Sequence, residues 1–350
     1  MIKRVALGTS ASQASSPLGR EETVLRNTVR VVLGLVATTL VLATASAQDA
    51  YPSRAVTLVT PYAPGGGSDI VTRVLADALR RHLGQTVVVQ NVSGGGGNVG
   101  TQAVARAAPD GYTLLTHHIG MATAPALFQN PGFDPLGSFE PVGLFADMPM
   151  LLVGNRDLAA NTMAELLAFV REQGEAVNFA SSGQGSATHL CAILFQQLAG
   201  RNVTMVQYRG AAPALSDLQA GRVQLLCDVT AGIVPHIRSG AVKAYVLTGT
   251  RRLASLPQVP TTEELGLQRM DISAWYGLYA PAGTPRPVVQ RLSAALQAAV
   301  RDPEMIARLA QMDTLVFDQA QATPEAHRQR LQAQVAQWNQ VIRSAGIPAN

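Results

Sequence analysis

The stretch VTLVTPYAPGGGSDIVTRVLADALRRHLGQTVVV, Val56 to Val89, decides the fold. Val56-Thr57-Leu58-Val59 is a β-branched run and reads as a strand. Pro64-Gly65-Gly66-Gly67-Ser68-Asp69 is a small-residue turn. Val71, Val74, Leu75, Ala78, Leu79 and Leu83 then recur at helical spacing, and Gly84 stands at the C-cap. Thr86-Val87-Val88-Val89 is the next strand. A second glycine run, Gly94–Gly97, opens another helix. Pro109-Asp110-Gly111 turns the chain into a strand at Tyr112–Leu115. Strands and helices in this rhythm predict βαβ units and a largely parallel sheet.

The plan recurs further on. Val177-Asn178-Phe179-Ala180 reads as a strand, and Ser181-Ser182-Gly183-Gln184-Gly185-Ser186 as a small-residue turn. Leu190, Cys191, Leu194, Phe195 and Leu198 form a helical face that Gly200 ends. Val203–Val206 is a strand, closed by Tyr208-Arg209-Gly210. Identity between the copies is slight, so the shared feature is a plan, and two similar α/β lobes are expected. Near the end, Val288 to Val300 and Leu331 to Ile342 give two amphipathic helices. Thr323-Pro324 is placed as N-cap and N1 of the second.

Composition limits the function classes. The 350 residues are 47% hydrophobic and 14% charged, which excludes a disordered chain. Three of the four net positive charges lie within residues 1–47, and Lys243 is the only lysine after residue 4. A nucleic-acid partner, which needs clustered Lys and Arg, is therefore not expected. Val31–Ala43 is an apolar stretch of 13 residues, preceded by Arg26 and Arg30 and followed by Ala45-Ser46-Ala47. These are the parts of a secretory signal peptide over residues 1–47, cleaved after Ala47. The alternative, a membrane anchor, is disfavoured because a span needs about 20 apolar residues. Export permits a disulfide between Cys191 and Cys227. Each, however, sits in an apolar pattern, so buried free thiols are the expectation.

The two small-residue turns carry the chemistry. Each follows a strand and opens a helix, whose start has unpaired N–H groups and about half a positive charge. Such a place holds an anion without lysine, and a carboxylate is enough. One such turn alone reads as helix-on-strand packing; two in an exported chain favour a ligand cleft. Gly95, Gly97 and Gly100 match a dinucleotide fingerprint by letter, but the acidic residue, Asp110, falls in a turn, and no cofactor is expected. Ser182, His189 and Asp228 could be drawn as a hydrolytic triad, though G-x-S-x-G is missing. His117, His118, His189 and His236 lack metal-ligand spacing. Asp69 and Asp228 could be an acid–base pair; the preferred reading has Asp69 orienting its loop and Asp228 ending a strand at the cleft.

An ordered set of motifs also resembles one family. Tyr51-Pro52, Val59-Thr60-Pro61-Tyr62-Ala63-Pro64-Gly65-Gly66-Gly67-Ser68-Asp69 and Arg73 are similar to the opening of tripartite tricarboxylate transporter solute receptors of the Bug type. The likeness continues through Val88–Asn91, Gly94–Gly97, Pro109–Tyr112, Ser181–Leu190, Tyr208–Ala214, Leu218–Gly221, Leu256–Glu264, Trp275–Leu278 and Pro281–Pro285. It spans nearly all of residues 51–345.

The resemblance implies an α/β, two-lobed periplasmic binding protein of type II, a Venus flytrap with the ligand cleft between lobes. Lobe 1 would hold 49–150 and 272–350, and lobe 2 would hold 151–271. The implied function is to capture a small carboxylate and present it to membrane permease subunits, as a monomer and without catalysis. The binding residues implied are Tyr62, Ala63, Pro64, Gly65, Gly66, Gly67, Ser68 and Asp69 on one pincer loop. Ser181, Ser182, Gly183, Gly185, Ser186 and His189 form the other, with Tyr208, Arg209, Gly210 and Asp228 lining the cleft. His117-His118 departs from the family's small or hydroxyl residues after that strand, and Cys227 and Val229 replace its usual neighbours of the aspartate. An exported hydrolase using Ser182 or His189, and a receptor feeding a membrane sensor, are the alternatives.

Overall fold

A computed structural model describes residues 51–344, 346, 347 and 349. The expected signal peptide and its cleavage site lie outside them. The first unit forms as its pattern predicts. Strand β1 (Val56–Thr60) runs parallel between β2 (Val87–Asn91) and β3 (Thr113–His117), with Val56 opposite Val87 and Leu58 opposite Leu114. The Gly67–Leu83 helix buries Val71, Val74, Leu75, Ala78 and Leu79, and Gly84 closes it in a left-handed conformation.

A long strand, β4 (Phe139–Asn155), leads to the second unit. There β5 (Asn178–Ser181) runs parallel between β6 (Thr204–Gln207) and β7 (Leu225–Val229). Two further long-range partners are β8 (Val242–Leu247) and β9 (Ser273–Pro281); the short β10 (Leu315–Val316) adds to β4. The strand order is β2-β1-β3-β9-β4-β7-β5-β6. It reads as the same half twice: a parallel trio with an antiparallel long strand beside it, the halves meeting where β4 pairs β9. The sequence echo is thus a shared topology.

Strand β4 serves both halves. Residues Phe139–Pro149 pair with β9, and Met150–Asn155 pair with β7 and β8. Pro149 falls at the change of partner, where a missing N–H interrupts a ladder at least cost. Thr248 ties the return crossing to this point. Its Oγ accepts from Met150 N–H (2.8 Å) and donates to Ile272 O (2.6 Å).

Side chains of the second half alternate between two cores, as strands covered on both faces require. Phe179, Leu225 and Cys227 join the main core, while Ala180, Leu226, Leu151 and Val153 join a smaller cluster under the Ala211–Gln219 and Thr230–Arg238 helices. At the chain's end Thr323 Oγ accepts from Ala326 N–H and Pro324 opens the last helix, as expected.

One expectation is corrected. Cys191 and Cys227 are not free thiols; they form a disulfide. The apolar periodicity around each cysteine describes burial alone. It does not reveal that the Ala187–Ala199 helix lays its Cys191 face on β7. The bond closes a separation of 36 residues. Replacing both cysteines by alanine is expected to cost about 4 kcal/mol, seen as a drop of several degrees in Tm. An unchanged melting curve would show that the cross-link adds nothing.

Candidate functional site

The first pincer loop leaves β1 at Thr60 and enters a helix at Gly67, capped by Gly66 without a side-chain bond. Its first N–H groups therefore lack a side-chain partner. Asp69 holds the loop from behind. Its carboxylate accepts from Gly65 N–H (2.9 Å), Arg73 Nε (3.0 Å) and Asn91 Nδ2 (2.9 Å). Burial works against its charge, yet these bonds keep it below the usual carboxylate range. Asp69 is a loop-orienting residue.

The second pincer leaves β5 at Ser181. Ser186 caps the Ala187–Ala199 helix, accepting from His189 N–H (3.3 Å) and donating to Gly183 O (2.6 Å). Ser182 N–H donates to Thr188 Oγ1 (2.7 Å), and the Ser182 and Thr188 hydroxyls lie 2.9 Å apart. His189 Nδ1 accepts from Gly185 N–H (3.2 Å), and burial pushes its imidazole down to about 4.

Glycine brings the opposing loops together. A Cβ on Gly96 would run into the carbonyl of Gln184, and one on Gly183 would lie 2.6 Å from Gly96 Cα. A Cβ on Gly210 would lie 2.8 Å from Ala63 Cβ, and one on Gly67 would strike the Val229 side chain. Thr123 Oγ1 also donates to Gly185 O (3.1 Å). Within the Gly94–Gly97 run, Gly96 is thus the point of backbone approach to the Ser181–His189 loop. Gly100 packs against Val92 O and Pro61 in the same way.

Between the pincers lies a cavity of ≈ 20 Å³, room for about one water molecule. Of the residues named from the sequence, Tyr62, Ala63, Gly66, Gly67, Ser68, Ser182 and Asp228 line it. So do His118, Ala187, Thr188, Ala211, Val229 and Tyr276, which sequence reasoning did not assign. Four helix starts converge here, not two: those at Gly67, Ala187, Ala211 and Thr230. No Lys or Arg is among the lining residues.

The remaining expected residues stand behind this layer. Pro64, Gly65, Ser181, Gly183, Gly185, Ser186 and His189 shape the loops without lining the cavity. Tyr208 donates to Asp217 Oδ2 (2.7 Å), Arg209 is exposed, and Gly210 backs Ala63. The imagined triad is not assembled. Ser182 bonds Thr188, His189 bonds Gly185, and Asp228 Oδ1 accepts from Val229 N–H (2.8 Å).

A paired-loop cleft on this α/β fold is that of a periplasmic binding protein. Residues 71–347 match the family model described as the tripartite tricarboxylate transporter family receptor. The chain belongs to that family, one of substrate-binding receptors rather than enzymes. The "UPF0065 protein in the TAR-I ttuE-ttuC' intergenic region" of Agrobacterium vitis is 42% identical over 317 residues, covering 91% of this chain and 92% of that one. The structure of periplasmic binding protein BugD is similar with a TM-score of 0.83 and 42% identity, covering 86% of this chain and all of that one. MatC from Rhodopseudomonas palustris, solved with bound malate, gives a TM-score of 0.80 at 36% identity over 83% of this chain and 100% of its own. Among the described residues no helix is long and apolar enough to cross a membrane.

Burial pushes the Asp228 carboxyl up to about 7, opposed by the Val229 N–H bond. Its cost to stability is therefore absent below the ordinary carboxylate range and complete above pH 7. Asp228→Asn is expected to melt a few degrees above the parent at pH 8 and level with it at pH 4. A difference that does not vary with pH would show that the folded state does not hold this proton.

Proposed function

We propose that the chain is an extracytoplasmic receptor that captures a small carboxylate between the Tyr62–Asp69 and Ser181–His189 loops. It then delivers the acid to the permease subunits of a tripartite tricarboxylate-type transporter. The observation that carries this reading is the convergence of four helix starts on one cavity without a lining Lys or Arg. Dipoles and N–H groups suit an anion there. The bound malate of MatC, a family relative, supports the carboxylate class.

The lobes are 49–150 with 272–350, and 151–271, and the protein works as a monomer. A diacid exceeds a cavity of ≈ 20 Å³, so entry needs the loops to part. The hinge for that motion is the pair of crossings at Pro149–Met150 and Thr248–Ile272, tied by the Thr248 hydroxyl. Ligand then favours the closed form by its difference in affinity between the two forms.

Two experiments test this. Thermal shifts on refolded Gln48–Asn350 against mono-, di- and tricarboxylates should single out some acids. Ligand at 100 times its Kd adds about 2.7 kcal/mol. A flat response across the panel would overturn the reading. Gly96→Ala places a methyl on the Gln184 carbonyl and blocks closure. It should weaken binding by tenfold or more in calorimetry, and equal affinity would show that the approach of Gly96 to Gln184 is not needed for binding.

A further inference from the structure

His118 and Asp228 face the same water-sized space, and each has one unused polar atom. His118 is 3% exposed. Its ring stacks on Tyr62, with centroids 4.8 Å apart, and meets Tyr276 edge-on at 5.4 Å. His118 Nδ1 accepts from Gly120 N–H at 2.9 Å. A neutral imidazole with an accepting Nδ1 carries its proton on Nε2, and burial holds this ring neutral. Among the described residues Nε2–H has no acceptor. Asp228, also 3% exposed, uses Oδ1 on Val229 N–H, and its Oδ2 has no donor among the described residues.

One small group placed in the cavity therefore meets a fixed donor and a free acceptor. We infer that the ligand is a hydroxycarboxylate whose hydroxyl accepts from His118 Nε2–H and donates to Asp228 Oδ2. The inference rests on the carboxylate-receptor reading above and adds the hydroxyl. Other groups fit less well. An ammonium has protons for Asp228 but no lone pair for His118. A keto or ether oxygen has no proton for Asp228. A methylene leaves both buried groups unpaired, which is the costly outcome for a polar site.

Matched acids test this: L-malate with succinate, L-lactate with propionate, citrate with tricarballylate, and L-aspartate as the ammonium counterpart of malate. Calorimetry on the refolded protein at pH 8 keeps Asp228 mainly ionised, hence an acceptor. In at least one pair the hydroxylated acid should bind tenfold or more tightly than its deoxy partner, and malate should exceed aspartate. His118→Phe keeps the ring stack and should bring the two members of that pair within threefold, with the deoxy acid still bound. Should that variant fail to fold, Asp228→Asn provides the same comparison. Equal or reversed preference in every pair overturns the hydroxyl inference and leaves the receptor reading standing. Preference that survives in both variants overturns it too. Binding of no acid at all removes the receptor reading, and this inference with it.

Discussion

Two stretches of backbone meet across the site at van der Waals distance, and the rest of the molecule is arranged to allow it. Side chains at Gly96, Gly183, Gly67 or Gly210 would each run into residues of the opposite half. With those side chains absent, main-chain N–H groups and helix starts come within reach of whatever lies between. A loop of larger residues would hold the halves apart by several ångströms. The helix dipoles would then act through water, where their field is strongly reduced. The glycine runs are therefore the means of contact, and flexibility is a lesser part of their role.

Contact of this kind needs loops that are rigid from behind. Asp69, tied to Gly65, Arg73 and Asn91, does this for the first loop. Ser186, Thr188 and His189 do it for the second, which the disulfide anchors through the helix to the strand carrying Asp228. The long strand β4 then joins the two halves as one sheet while changing partners at Pro149. Pro149 and the Thr248 hydroxyl mark the place where the chain passes from one half to the other.

Much of this was legible in residue patterns, and the omissions have physical causes. The Val56–Val89 stretch spells out its unit because β-branched runs, a glycine turn and an amphipathic face follow in order. The recurrence at Val177–Val206 foretold the repeated topology. Strand β4 escaped because Pro141, Gly143 and Pro149 read as interruptions, whereas bulges and the change of partner absorb them. Ala211 and Val229 escaped because their helices begin without a cap signal, at Gly210 and Val229. The disulfide escaped because cysteine spacing carries no information about packing across the sheet. His118 was visible only as an oddity, since the Gly120 N–H that fixes its tautomer acts in space.

A site that would hold an anion with dipoles and no lining Lys or Arg has an unusual relation to its surroundings. Coulomb attraction between whole charges reaches about a Debye length into the solvent and weakens as salt rises. Oriented N–H groups act only at contact. Under the proposed function, such a site would keep its grip on an acid when the ionic strength around it swings widely. Release would then need only the parting of two loops, with no lining Lys or Arg to hold the acid back.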